Sequence, residues 1–170
     1  MPDKANRSAL VWTWLSALVI ALDQLTKQIV EKTLPYADPV AVFPGLSWFR
    51  IYNKGAAFSM LSNASGWQRW FFTAMALIVS VVLVVWLYRT VRSDWRTALP
   101  LSLILGGAIG NVIDRIAYGH VVDFVLVYYQ DWSFPAFNLA DSAISVGAVC
   151  LILFSFGQDS GRTERKSASA

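Results

Sequence analysis

The chain has 170 residues, of which 56% are hydrophobic and only 15% charged, against roughly 25% charged in soluble domains. That composition places it in a membrane, and one compact domain is the expected count at this length. A net charge of +3 is too small to argue for a nucleic-acid partner. One histidine and one cysteine leave no disulfide framework, no His-rich zinc site and no spare histidine for a Ser-His-Asp triad.

Four apolar segments follow in chain order. The first, Ser8–Leu22, continues as a helical pattern past Asp23 and Lys27 to Val30. It has no small-x-small cleavage site, so it reads as a retained span and not a signal peptide. Trp70–Tyr88, Thr97–Ile113 and Ser142–Gln158 are the others. At about 1.5 Å rise per residue each crosses most or all of a roughly 30 Å hydrocarbon layer. The predicted fold class is an all-α membrane protein, a four-transmembrane-helix bundle. Residues 1–157 are expected to form a single membrane-embedded domain, and 158–170 a polar, disordered cytoplasmic tail.

The loop from Glu31 to Gln68 carries Val40–Phe43, a Pro44-Gly45 turn and Leu46–Tyr52, which predicts a small β-hairpin lying on the membrane. The loop from Ala117 to Asn138 is largely apolar and is expected to skim the interface. Lys4 and Arg7, then Arg89, Arg92 and Arg96, then Arg162, Arg165 and Lys166 lie on the side of both termini. The positive-inside bias assigns that side to the cytoplasm. Asp23, Asp114, Asp123 and Asp141 then gather near the outer face.

Each polar residue has a plain structural reading. Asp23 and Lys27, four apart, share a helix face as an ion pair, with direct substrate contact as the alternative. Gly106 and Gly110 form a small-xxx-small pair for close helix approach. Gly107, Asn111 and Asp114 make one stripe toward the bundle interior. Asp114 and Arg115 diverge by about 100°, so they face different partners, and the guanidinium suits an oxygen ligand near the headgroups. Gly55, after Asn53 and Lys54, permits close backbone approach, with a turn as the default. Asp141 can be explained as a helix N-cap, and Asp123 as an exposed loop acid. Together, however, Asp123, Asp141, Asn138, Asn111 and Arg115 meet at one membrane face. Paired carboxylates sharing a proton can activate water, and that reading is preferred. An ion-coupled transporter would need polar groups in both halves of the spans, and the inner halves lack acids. A non-catalytic scaffold would use the aspartates as caps alone.

Five ordered motifs carry a resemblance. They are Asp23-Gln24-Leu25-Thr26-Lys27, Asn53-Lys54-Gly55-Ala56-Ala57-Phe58, the run from Gly106 to Arg115, Val121-Val122-Asp123-Phe124, and Phe137-Asn138-Leu139-Ala140-Asp141. Over residues 10–155 the chain resembles the bacterial lipoprotein signal peptidase (signal peptidase II) family. The resemblance implies an intramembrane aspartyl endopeptidase of the bacterial cytoplasmic membrane. Such an enzyme removes signal peptides from prolipoproteins, cutting just before a diacylglyceryl-modified cysteine. It implies Asp123 and Asp141 as the catalytic pair, and Asn53, Gly55, Asn111, Arg115 and Asn138 as substrate-binding. Asp23, Lys27 and Asp114 would support them. It further implies no metal or organic cofactor, a membrane-lying β-cradle in the first outer loop, membrane lipids as neighbours and inhibition by globomycin.

Overall fold

A computed structural model describes residues 8–55 and 66–167, with backbone alone from residue 157. Lys4, Arg7 and the motif residues Ala56, Ala57 and Phe58 lie outside the described residues. After a 3-10 turn at Ala9–Trp12, helix α1 runs Thr13–Thr33. It does not stop at Leu22, because Asp23 and Lys27 neutralise each other at 2.8 Å. Helix α2 is Trp67–Arg89, α3 is Trp95–Ala117 and α4 is Leu139–Ser167. All four are long and apolar enough to cross a membrane.

Helix α3 is the hub. Of its apolar stretch 67% is buried in the protein, against 17–22% in the other spans, so the others face lipid over most of their surface. It packs on α1, α2 and α4. The expected small-residue contacts explain how closely it does so. A side chain at Gly110 would meet the Asp23 carboxylate of α1, and one at Gly107 would run into the Ala140 backbone of α4. One end of the bundle is closed by Ala9, Leu83, Leu87, Ala98, Leu101 and Leu105.

At the other end sits a four-stranded antiparallel sheet, in the order β1-β2-β3-β4. The expected hairpin supplies β1 (Val40–Phe43) and β2 (Leu46–Asn53). Gly45, at φ 93°, makes the turn that Pro44 begins. The loop expected to skim the interface supplies β3 (Val121–Tyr129) and β4 (Trp132–Ser133). Its first four residues are buried, and a strand covered on both faces reads as a continuous apolar run without alternation. The open edge of β2 needs backbone partners, and β3 provides them.

Register decides what the sheet presents. Trp48 pairs with Val125, but Ile51 pairs with Asp123. One extra residue in β2 is therefore bulged between these pairs. In unbroken register Arg50 would lie opposite Asp123, and a one-residue slip reverses the faces. The bulge instead puts Ile51 and Asn53 on the Asp123 side. Arg50 and Tyr52 turn away to Glu31, by hydrogen bonds of 2.7 and 3.1 Å.

Candidate active site

Asp123 stands on β3, and Asp141 in the first turn of α4. Two features bring these elements together. Phe137 docks along β3, its carbonyl accepting from Phe124 N and Val125 N at 3.0 and 2.8 Å. Asn138 then starts α4. Its Oδ1 accepts from Asp141 N at 2.9 Å, and Asp141 Oδ2 accepts from Asn138 N at 3.1 Å. This is a reciprocal capping box. Asn138 is the N-cap, which corrects the alternative in which Asp141 held that position. The alternative of Asp123 as an exposed loop acid also falls, since it is 3% exposed.

Asn138 ties the two acids together. While its backbone and Oδ1 hold Asp141, its Nδ2 donates to Asp123 Oδ1 at 2.8 Å. Asn53 Nδ2 donates to Asp123 Oδ2 at 3.0 Å, and Asn111 Nδ2 to Asp141 Oδ1 at 2.8 Å. Both carboxylates line a cavity of about 1100 Å³. Asn53, Gly55, Arg115 and Phe72 share that lining with Ser145. Burial, then the neighbouring charge of Asp141, push the Asp123 carboxyl up to about 7; hydrogen bonds from Asn53 and Asn138 pull the other way.

Behind the pair lies a buried ion cluster. Lys27 Nζ reaches Asp23 Oδ2 and Asp114 Oδ2 at 2.8 Å each, and Asn111 Oδ1 at 3.1 Å, which uses all three ammonium donors. The two acids do more than balance it. Asp23 Oδ1 accepts from Ala140 N at 3.0 Å, and Asp114 Oδ2 from Val122 N at 3.3 Å. Each holds the backbone one residue before a cavity aspartate. The ion pair expected for Asp23 and Lys27 is thus present, as part of a larger strap.

The expected site residues all reach this end of the bundle, with distinct surroundings. Asn138 is fully buried and its amide is spent on Asp123, Asn111 and Val122. Asn111 likewise joins Lys27 to Asp141. Arg115 has no carboxylate within ion-pair distance among the described residues. Its guanidinium lies 5.8 Å from the Phe72 ring and bonds weakly to Asn111 O. Asp114 and Arg115 do face different partners. Two residues were not singled out from the sequence. Gln24 Nε2 donates to Asp114 Oδ1 at 2.8 Å and lies 3.2 Å from Asp23 Oδ2; an amide beside a buried ion pair was the available signal. Phe72 had none, being one aromatic among many. Among the described residues no three His, Cys, Asp or Glu side chains converge to hold a metal ion.

Residues 15–157 match the family model described as signal peptidase (SPase) II. The chain belongs to the signal peptidase II family. It is 53% identical over 168 residues to the lipoprotein signal peptidase of Xanthomonas campestris pv. campestris (strain 8004), covering 98% of this chain and 99% of that one. It is 50% identical over 166 residues to the lipoprotein signal peptidase of Ectopseudomonas mendocina (strain ymp), covering 96% and 98%. A bacterial membrane enzyme solved by the in meso method at 2.3 Å superposes with a TM-score of 0.79 at 29% identity, covering 94% of this chain and 96% of that one. The chain is accordingly an aspartic-type signal peptidase embedded in the membrane by four helices.

Proposed function

We propose that Asp123 and Asp141 are the catalytic pair of this signal peptidase, and that its substrates are prolipoproteins cut just before a diacylglyceryl-modified cysteine. The observation that carries the assignment is the bridge through Asn138, which fixes two carboxylates on one cavity wall. Neighbouring acids resist double ionisation and share one proton. That proton is weighted toward Asp123, the more buried of the two, though the pair titrates as a unit. The ionised Asp141 takes a proton from water as its oxygen attacks the scissile carbonyl. Asp123 gives its proton to the carbonyl oxygen. Collapse of the tetrahedral intermediate returns that proton to Asp123, and Asp141 passes its own to the departing cysteine nitrogen. Both acids end as they began.

In this proposal Asn53, Gly55 and Arg115 meet the substrate from the cavity wall. Asn111 and Asn138 act through the carboxylates they hold, and Asp23, Lys27 and Asp114 hold the backbone behind them. Neither metal nor organic cofactor takes part. Residues 1–157 are the peptidase unit, and 158–170 a polar cytoplasmic tail. The enzyme lies in the bacterial cytoplasmic membrane with both termini inside, so the aspartates work at the outer face against a bilayer that holds the substrate's lipid. Globomycin is expected to compete for the same cavity. Asp123→Asn and Asp141→Asn should each cut turnover of a lipidated precursor by at least about 10²–10⁴-fold, with the melting temperature in detergent retained. Near-normal turnover in either variant would remove that residue from the pair.

A further inference from the structure

The opposite end of the bundle holds a second cavity, of about 400 Å³, where α2 ends, α3 begins and α4 passes. Trp86, Arg89, Thr90, Asp94, Arg96 and Phe154 are among its lining residues. Helix α2 finishes at Arg89 and α3 starts at Trp95, so the cavity lies at the depth where acyl chains give way to headgroups.

Two arginines face one acid in its lining, so its net charge is positive. Neither Arg89 nor Arg96 has a carboxylate within ion-pair distance among the described residues. Asp94, the acid in the lining, is committed to capping α3, its Oδ1 accepting from Thr97 N at 3.2 Å. The walls are aromatic: Trp86 on α2, and Phe154 on α4 held edge-on by Trp95 at 5.4 Å. Val82, one turn below Trp86, is exposed toward lipid. Cationic donors above an apolar, lipid-facing wall fit a ligand with an anionic head and hydrocarbon tails.

We propose that this cavity binds the phosphodiester headgroup of an anionic phospholipid, with Arg89 and Arg96 on its phosphate oxygens and an acyl chain along Val82 and Trp86. Basic pockets between membrane helices select such headgroups. A free phosphate has the same head chemistry but gains nothing from the apolar wall, and exposed arginines alone hold an ion weakly.

The full chain, in nanodiscs of equal parts phosphatidylglycerol and phosphatidylcholine, tests this by native mass spectrometry of retained lipid. Phosphatidylglycerol should be retained over phosphatidylcholine by about fivefold per arginine contact. Arg89→Gln and Arg96→Gln should each lose that factor. Arg92→Gln should keep it, because Arg92 carries the same charge at the same face but does not line the cavity. Thr90→Trp, which fills the cavity and leaves every charge, should lose it as the arginine variants do. Peptidase activity in phosphatidylcholine alone should survive all four changes and so reports folding. Equal losses in Arg92→Gln, Arg89→Gln and Arg96→Gln would reduce the preference to diffuse surface attraction and overturn the site. Displacement of the lipid by millimolar inorganic phosphate would overturn the lipid assignment in favour of a soluble anion.

Discussion

Helix α3 is built from two unlike halves. Its first half sets Ala98, Leu101 and Leu105 into an apolar cluster with Leu83 and Leu87. Its second half sets Asn111 and Asp114 among Lys27, Asp23 and Gln24. The first half works by volume, so a residue of similar size and polarity can replace another at small cost. The second works by completeness, because a buried polar group that loses its partner retains its desolvation penalty. Damage to the first should therefore lower stability with chemistry intact, and damage to the second should disturb both.

The harshest test of that contrast is Lys27→Met. It leaves Asp23 and Asp114 facing each other without their shared cation. Loss of one partner from a buried pair costs about 3–5 kcal/mol, so the variant should denature far earlier in detergent and show no turnover. A normal melting temperature would mean the cluster is not what holds the two backbones. Next is Leu101→Ala, fully buried in the apolar half. A cavity there should cost about 2–3 kcal/mol, while kcat of the folded fraction stays within about twofold. A selective fall in kcat would erase the distinction between the halves.

Gln24→Leu sharpens it further. The amide bonds Asp114 and does not line the large cavity, so its loss should cost about 1.5 kcal/mol of stability. It should lower kcat about tenfold, with KM unchanged; a change in KM alone would place Gln24 at the substrate.

The pH response tests the acid pair itself. With Asp123 raised to about 7 from an ordinary 3.8, the native state holds a proton that the unfolded chain releases. Stability therefore falls as pH rises from about 4 to 7 and levels off above. On the proposed mechanism the pair also loses the proton it needs, so kcat/KM should fall about twofold near pH 7 and about tenfold per unit beyond it. Leu101→Ala should leave that profile in place. A profile flat to pH 9 would contradict the shared proton.

Much of this organisation can be read from residue order. Hydropathy locates all four spans, and Pro44-Gly45 between apolar runs locates the hairpin. Helix ends differ more: α1 runs eleven residues past Leu22, where Asp23 and Lys27 pair, and α4 runs nine residues past Gln158. Strand β3 is hidden because its first four residues, Val121–Phe124, are covered on both faces, so its start lacks the alternation that marks a half-exposed strand. The bulge in β2 is hidden for another reason. It is a property of pairing, and nothing in Trp48–Ile51 taken alone says that Asn53 and not Arg50 will sit on the side of Asp123. The aspartates can be found as costly charges at membrane depth. The role of Asn138 as their bridge needs α4 and β3 in the same place.

One contact sets an order of events. The backbone of Ala140 in α4 is held by Asp23 of α1, 117 residues earlier. A chain emerging from the ribosome makes α1 first and α4 last. Until the fourth helix arrives, Asp23 has no Ala140 to hold, and Asp123 has neither Asn138 nor Asp141 beside it. On the proposed pairing, a half-inserted chain thus holds one of the two acids without the other. The site would be completed only with the final span.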